Sequence, residues 1–139
     1  MPPINLTAVV LAAVISFILG FLFHGPLLGQ FWMKLADIHP TGKEKLSDMI
    51  PQMLWNLLSN LVTALSLSVM YELASVSPVL QGTGVWGGVA CGLLAWAGFL
   101  TTSTSIDVIW MGRKASLWLF ECACSFVVMA VMGAIIASF

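Results

Sequence analysis

The stretch LTAVVLAAVISFILGFLF, residues 6–23, runs for eighteen residues without a charge. A bilayer core of about 30 Å needs roughly 20 apolar residues at 1.5 Å per residue, so this stretch reads as a slightly short membrane span. Asn5 stands before it as an N-cap, and Pro26 in His24-Gly25-Pro26 disfavours helix at the residue it follows. No basic segment precedes the span and no small-residue cleavage site follows it, so it is expected to remain as a helix rather than be removed as a signal peptide.

Working outward, three more such stretches occur at about residues 53–73, 84–104 and 117–136. Pro51 suits the first turn of the second, where its missing N–H would have been unpaired anyway, and Tyr71 and Glu72 mark its far end. The 139 residues are 60% hydrophobic, and only 11 are Asp, Glu, Lys or Arg. A soluble domain of this length would carry roughly 35. A mean hydropathy of +1.02 excludes a disordered tail, and five basic residues with a net charge of -1 exclude a nucleic-acid surface. The fold class is therefore an all-α membrane protein: four transmembrane helices in one integral membrane domain, residues 1–139.

Lys34, Lys43 and Lys45 lie in the first loop, and Arg113 and Lys114 in the third. These loops share a side, so the positive-inside rule places them in the cytoplasm and both termini outside, in the periplasm. Trp32, Trp55, Trp110 and Trp118 fall near the inner boundary and Trp86 near the outer one, where an indole N–H stays wet; Trp96 is deep enough to be a packing residue. Leu27, Leu28, Phe31 and Leu35 recur at helical spacing in a piece too short to cross, which predicts a cytoplasmic interfacial helix over residues 26–36. His39-Pro40-Thr41-Gly42 is turn chemistry, followed by a charged stretch ending at Asp48.

Gly20-Phe21-Leu22 is followed after nine residues by Trp32-Met33, and Gly98-Phe99-Leu100 after nine residues by Trp110-Met111. The pattern fits a tandem two-helix duplication, as in parallel-repeat transporters, and equally fits chance in a chain this rich in Phe, Leu, Trp and Gly.

The segment Leu19-Gly20-Phe21-Leu22-Phe23-His24-Gly25-Pro26-Leu27-Leu28-Gly29, with Trp32-Met33-Lys34-Leu35 after it, resembles a family of small bacterial membrane proteins catalogued as domain of unknown function 1761. The likeness continues at Gly98-Phe99-Leu100-Thr101-Thr102, Gly112-Arg113 and Met132-Gly133-Ala134-Ile135, and so spans nearly the whole chain. It implies four spans in a bacterial inner membrane and carries no activity with it. At His24, family members tend to have an aromatic such as Tyr.

Lipid offers polar side chains no partner, so those inside spans turn toward the bundle or a wet cavity. Gln52, Asn56, Asn60 and Thr63 are spaced by four, four and three along one face of the second span. Glu121 enters the membrane by roughly 7 Å beyond Ser116, and Asn56 lies at a similar depth. Ser125 sits one turn above Glu121; Thr101 and Thr102 descend to that level on the third span, and His24 closes the first. A polar cluster of Glu121, Asn56, Asn60, Thr101, Thr102, Ser125 and His24, open to the cytoplasm, would bind an ion, a small polar solute or protons. The alternative has Glu121 reach Arg113 or Lys114 as an anchor, with the asparagines as interhelical glue. Asp107 is placed to pair with Arg113 at the surface.

Gly84, Gly88 and Gly92 recur every four residues, a smooth strip that admits close helix packing within the chain or between copies. Cys122 and Cys124 diverge by about 200° on a helix, which favours packing thiols. His24 and His39 lack companion ligands, so no metal is expected, nor any cofactor. HExxH, paired zinc spacing, GxSxG and phosphate loops are missing, and no enzyme is expected. The leading expectation is a channel or transporter for an ion or small polar solute, assembled as a homo-oligomer in the lipid bilayer. The second is a non-catalytic accessory or assembly subunit with a membrane-complex partner.

Overall fold

The computed structural model describes residues 4–40, 46–80 and 82–139; the expected turn residues Thr41 and Gly42 and the loop lysines Lys43 and Lys45 lie outside them. The helices are α1 Leu6–His24, α2 Gly29–Ala36, α3 Leu46–Ser75, α4 Val85–Ala95, α5 Thr101–Trp110 and α6 Ala115–Ser138, with a π turn Trp96–Leu100 joining α4 to α5. No strand occurs among the described residues. Among the described residues four segments are long and apolar enough to cross a membrane: Leu6–His24, Met49–Ser75, Val85–Trp110 and Ala115–Ser138.

Asn5 caps α1 as its sequence position predicts, its Oδ1 accepting from the N–H groups of Thr7 at 3.0 Å and Ala8 at 3.3 Å. α2 is an eight-residue helix that ends at Asp37, whose φ of 59° lets the chain turn away. α3 begins at Leu46 rather than about Met53, so Pro51 sits inside the helix, not at its entry. As the sixth helical residue it lies past the turn whose N–H groups have no intrahelical acceptor, so it removes one i→i−4 bond close to the start of the helix.

The third span also outruns its expected end at 104, continuing to Trp110. The run TTSTS would leave a helix in water through competing side-chain bonds. Here its hydroxyls fold back onto the preceding turn: Thr101 donates to Ala97 O at 2.8 Å, Thr102 to Gly98 O at 2.7 Å and Thr104 to Leu100 O at 2.8 Å. Those acceptors belong to the π turn, and in lipid such bonds satisfy polar groups that water cannot reach. At Gly112, φ of +68° reverses the chain, and the Arg113 N–H donates to Asp107 O at 3.1 Å.

The two Gly-Phe-Leu segments differ in structure. After Gly20-Phe21-Leu22 the helix stops at His24 and restarts as α2; after Gly98-Phe99-Leu100 it runs on unbroken through α5. Gly25-Pro26 occurs in the first copy alone, and proline cannot follow a continuing helix without cost.

The bundle closes at one end and opens at the other. Its core is built from Val9, Ala12 and Ala13 of α1, Ala64 and Leu67 of α3, Cys91 and Ala95 of α4, and Met129, Met132 and Ile136 of α6. The tightest approach is between α4 and α6. A Cβ on Gly88 would fall on Gly133 O and on the Ala137 side chain, one on Gly92 would fall on Met129 O, and one on Gly133 would fall on Gly88 O. The small residues thus let two backbones touch within one chain. Gly84 departs from the strip expected of it: it precedes the helix with φ +52°, is exposed, and a Cβ there would meet nothing within 4 Å. The helix starts one residue later, so Gly84 serves the turn.

Candidate polar cavity

Near the end of the bundle that carries His24, Arg113 and Glu121, α3 stands apart from α5 and the π turn, while α1 and α6 pack against α3. The wedge left between them holds a cavity of about 240 Å³. The spacing of its lining explains how each helix contributes. Ser16, Gly20, Phe23 and His24 fall at helical intervals on α1; Asn56, Asn60 and Thr63 do so on α3; Glu121, Cys124, Ser125, Val128, Met129 and Met132 do so on α6; Leu100 comes from the π turn. A second space of about 250 Å³, between α5 and α6, shares His24, Leu100, Glu121 and Ser125 with the first and adds Thr104 and Cys122.

Five side chains of the expected cluster therefore meet: Glu121, Asn56, Asn60, Ser125 and His24. Thr101 and Thr102 do not. They are spent on Ala97 O and Gly98 O, and Thr104 lines the space instead. The cause is the π turn, which inserts one residue into the helix and so rotates everything after it by about 100° relative to an unbroken α-helix. Gln52 is not among the residues that line either space.

The polar groups have unequal freedom. Arg113 Nη2 donates to Glu121 Oε1 at 2.7 Å, and Arg113 Nη1 lies 3.7 Å from Asp107 Oδ2, so a single guanidinium serves two carboxylates. The His24 Nδ1–H donates to Gly20 O at 3.0 Å, which in the neutral ring leaves Nε2 as an acceptor. Its ring is held edge-on by Trp32 and Phe120, at 5.4 and 6.0 Å between centroids. Asn60 Nδ2 donates to Asn56 Oδ1 at 2.7 Å and to Asn56 O at 2.9 Å, while Asn56 Nδ2 and Asn60 Oδ1 enter none of the described hydrogen bonds. Trp96 Nε1 donates to Cys122 O and to Ser125 Oγ, at 3.0 and 3.1 Å, fixing the wall behind Ser125.

Ser16 is the group that sequence reasoning passed over. The residue is 1% exposed, and its Oγ has no hydrogen-bond partner. A buried serine in a helix ordinarily reaches the carbonyl four residues back, and an unpaired buried hydroxyl costs about 1–3 kcal/mol. Its signal was present: Ser16 is the only polar side chain in the interior of the first span, one and two turns from Gly20 and His24. Among the described residues no three His, Cys, Asp or Glu side chains gather as metal ligands.

No curated protein and no solved structure matches the chain. A family described as a protein of unknown function, DUF1761, matches it over residues 7–137, which takes in all four spans but for the first residue of the first and the last residue of the fourth, and every residue of the cavity. The chain belongs to that DUF1761 family.

Proposed function

We propose that this protein binds a small polar solute in the wedge between α1, α3 and α6 and moves it across the membrane as a channel or transporter. The observation that carries this reading is the unpartnered, buried Ser16 hydroxyl at the inner end of a partly open cavity whose wall also presents Asn56, Asn60 and His24. At about 240 Å³ the space is just under the ~300–1,000 Å³ of drug-sized pockets, which favours a small ligand. No catalytic step is part of the proposal. The Arg113 end faces the cytoplasm of a bacterial inner membrane in this reading, supported by Lys34, Arg113 and Lys114 lying toward that end. A homo-oligomer belongs to the same proposal and would be read by mass measurement in nanodiscs.

Gly20 supplies the test. It lines the cavity, and a Cβ there would meet nothing within 4 Å. Gly20→Leu should therefore fill the space without disturbing the bundle. Proteoliposomes holding the wild type should pass glycerol, urea or methylammonium faster than protein-free vesicles in a light-scattering assay, and Gly20→Leu should abolish the difference. Wild-type flux equal to that of empty vesicles for all three would overturn the transport reading. The ion pair between Glu121 and Arg113 favours a second reading, in which the carboxylate anchors α6 in an accessory subunit. A membrane partner co-purifying at fixed stoichiometry would support it.

A further inference from the structure

The polar character of the cavity changes along its length. Glu121, His24 and Asn56 stand toward the Arg113 end, whereas Val128, Met129 and Met132 form the deeper wall together with the buried residue Ser16. From Glu121 to Met132 is eleven residues of α6, or about 16 Å. A ligand spanning that distance meets a charged or polar group first and methyl and thioether groups after it.

Two further features narrow the class. Asp107 and Glu121 share Arg113, so the cluster carries two negative charges against one positive. Lys114, next in sequence, is exposed and forms none of the described ion pairs. The excess favours a cation beside Glu121, and Asn56, Asn60 and His24 offer acceptors to its N–H groups. The wedge also opens sideways, because the α3 backbone does not approach that of α5 or the π turn. A solute arriving only from water has no use for an opening at lipid depth.

Resting on the solute-binding reading above, we infer that the cavity takes an amphiphilic cation, a primary amine on a short alkyl chain, which enters from the bilayer between α3 and α5 with its ammonium toward Glu121 and its chain toward Met129 and Met132. Equilibrium dialysis of labelled methylammonium, butylammonium, hexylammonium and hexanol against phosphatidylcholine nanodiscs, with and without the protein, tests it. Saturable binding above protein-free nanodiscs should strengthen about three- to fourfold per methylene along the amine series. Hexanol should bind at least tenfold more weakly than hexylammonium. Glu121→Gln should erase that preference, and Gly20→Leu should remove saturable binding altogether while eluting at the wild-type size. Saturable methylammonium binding with no gain from chain length, or hexanol bound as well as hexylammonium, would overturn the amphiphilic cation and leave the polar-solute reading standing. Absence of saturable binding by every probe, together with no flux of glycerol or urea, would overturn both.

Discussion

The two ends of the bundle are built from the same helices and differ in what separates them. Toward the chain termini, Gly88 and Gly92 meet Gly133 and Met129 backbone to backbone, and Tyr71 of α3 reaches Gly84 O through its hydroxyl at 3.4 Å. Toward Arg113, α3 parts from α5 and side chains face a space rather than a neighbour. In lipid, where apolar side chains gain nothing by leaving the solvent, close packing is a main source of helix association. One end therefore holds the fold, and the other is free to hold something else.

Substitutions at glycine break this contrast most sharply. Gly88→Val places its branch on Gly133 O, a backbone atom that cannot swing aside, and should cost about 3 kcal/mol or more. Thermal unfolding in detergent should show a large drop in midpoint, or no folded protein at all. Gly20→Leu, at the open end, should leave the midpoint unchanged or raise it, since leaving glycine in a helix gains about 0.5–1 kcal/mol. Equal losses from the two changes would mean that the cavity is not a space in the folded protein.

Smaller effects sharpen the same comparison. Arg113→Ala leaves Glu121 without its 2.7 Å partner. Because the two side chains are 34% and 26% exposed, the loss should be about 1 kcal/mol rather than that of a fully buried pair. Adding Glu121→Gln to Arg113→Ala should recover part of it in a double-mutant cycle on unfolding midpoints. Trp96→Phe removes the N–H shared by Cys122 O and Ser125 Oγ and should cost about 1 kcal/mol. Trp118→Phe removes the partly buried bond to Thr104 Oγ1, 3.0 Å long, and should cost about 0.5 kcal/mol. A Trp96→Phe effect no larger than that of Trp118→Phe would argue against an ordered wall behind Ser125.

Much of the polar wall was legible because helical spacing alone aligns Asn56 with Asn60 and Glu121 with Ser125. Thr101 and Thr102 were placed by depth alone, which sets no rotation about the helix axis, and their hydroxyls turn back to Ala97 O and Gly98 O. Gly84 misled in another way: periodicity continued it into the ladder, whereas the helix began at Val85. Ser16 was overlooked because one hydroxyl in an apolar span carries weight only when its partner is known to be missing.

Sequence by itself determined four spans, the Asn5 cap and the short helix before α3, because hydrophobic length and capping chemistry act within one segment. The tertiary structure decided that α4 and α6 meet at their glycines, that α3 swings away from α5, and that Arg113 joins Asp107 to Glu121. Those outcomes depend on how helices far apart in sequence rotate against one another, and a uniformly apolar helix surface sets no preferred rotation until another surface is pressed against it.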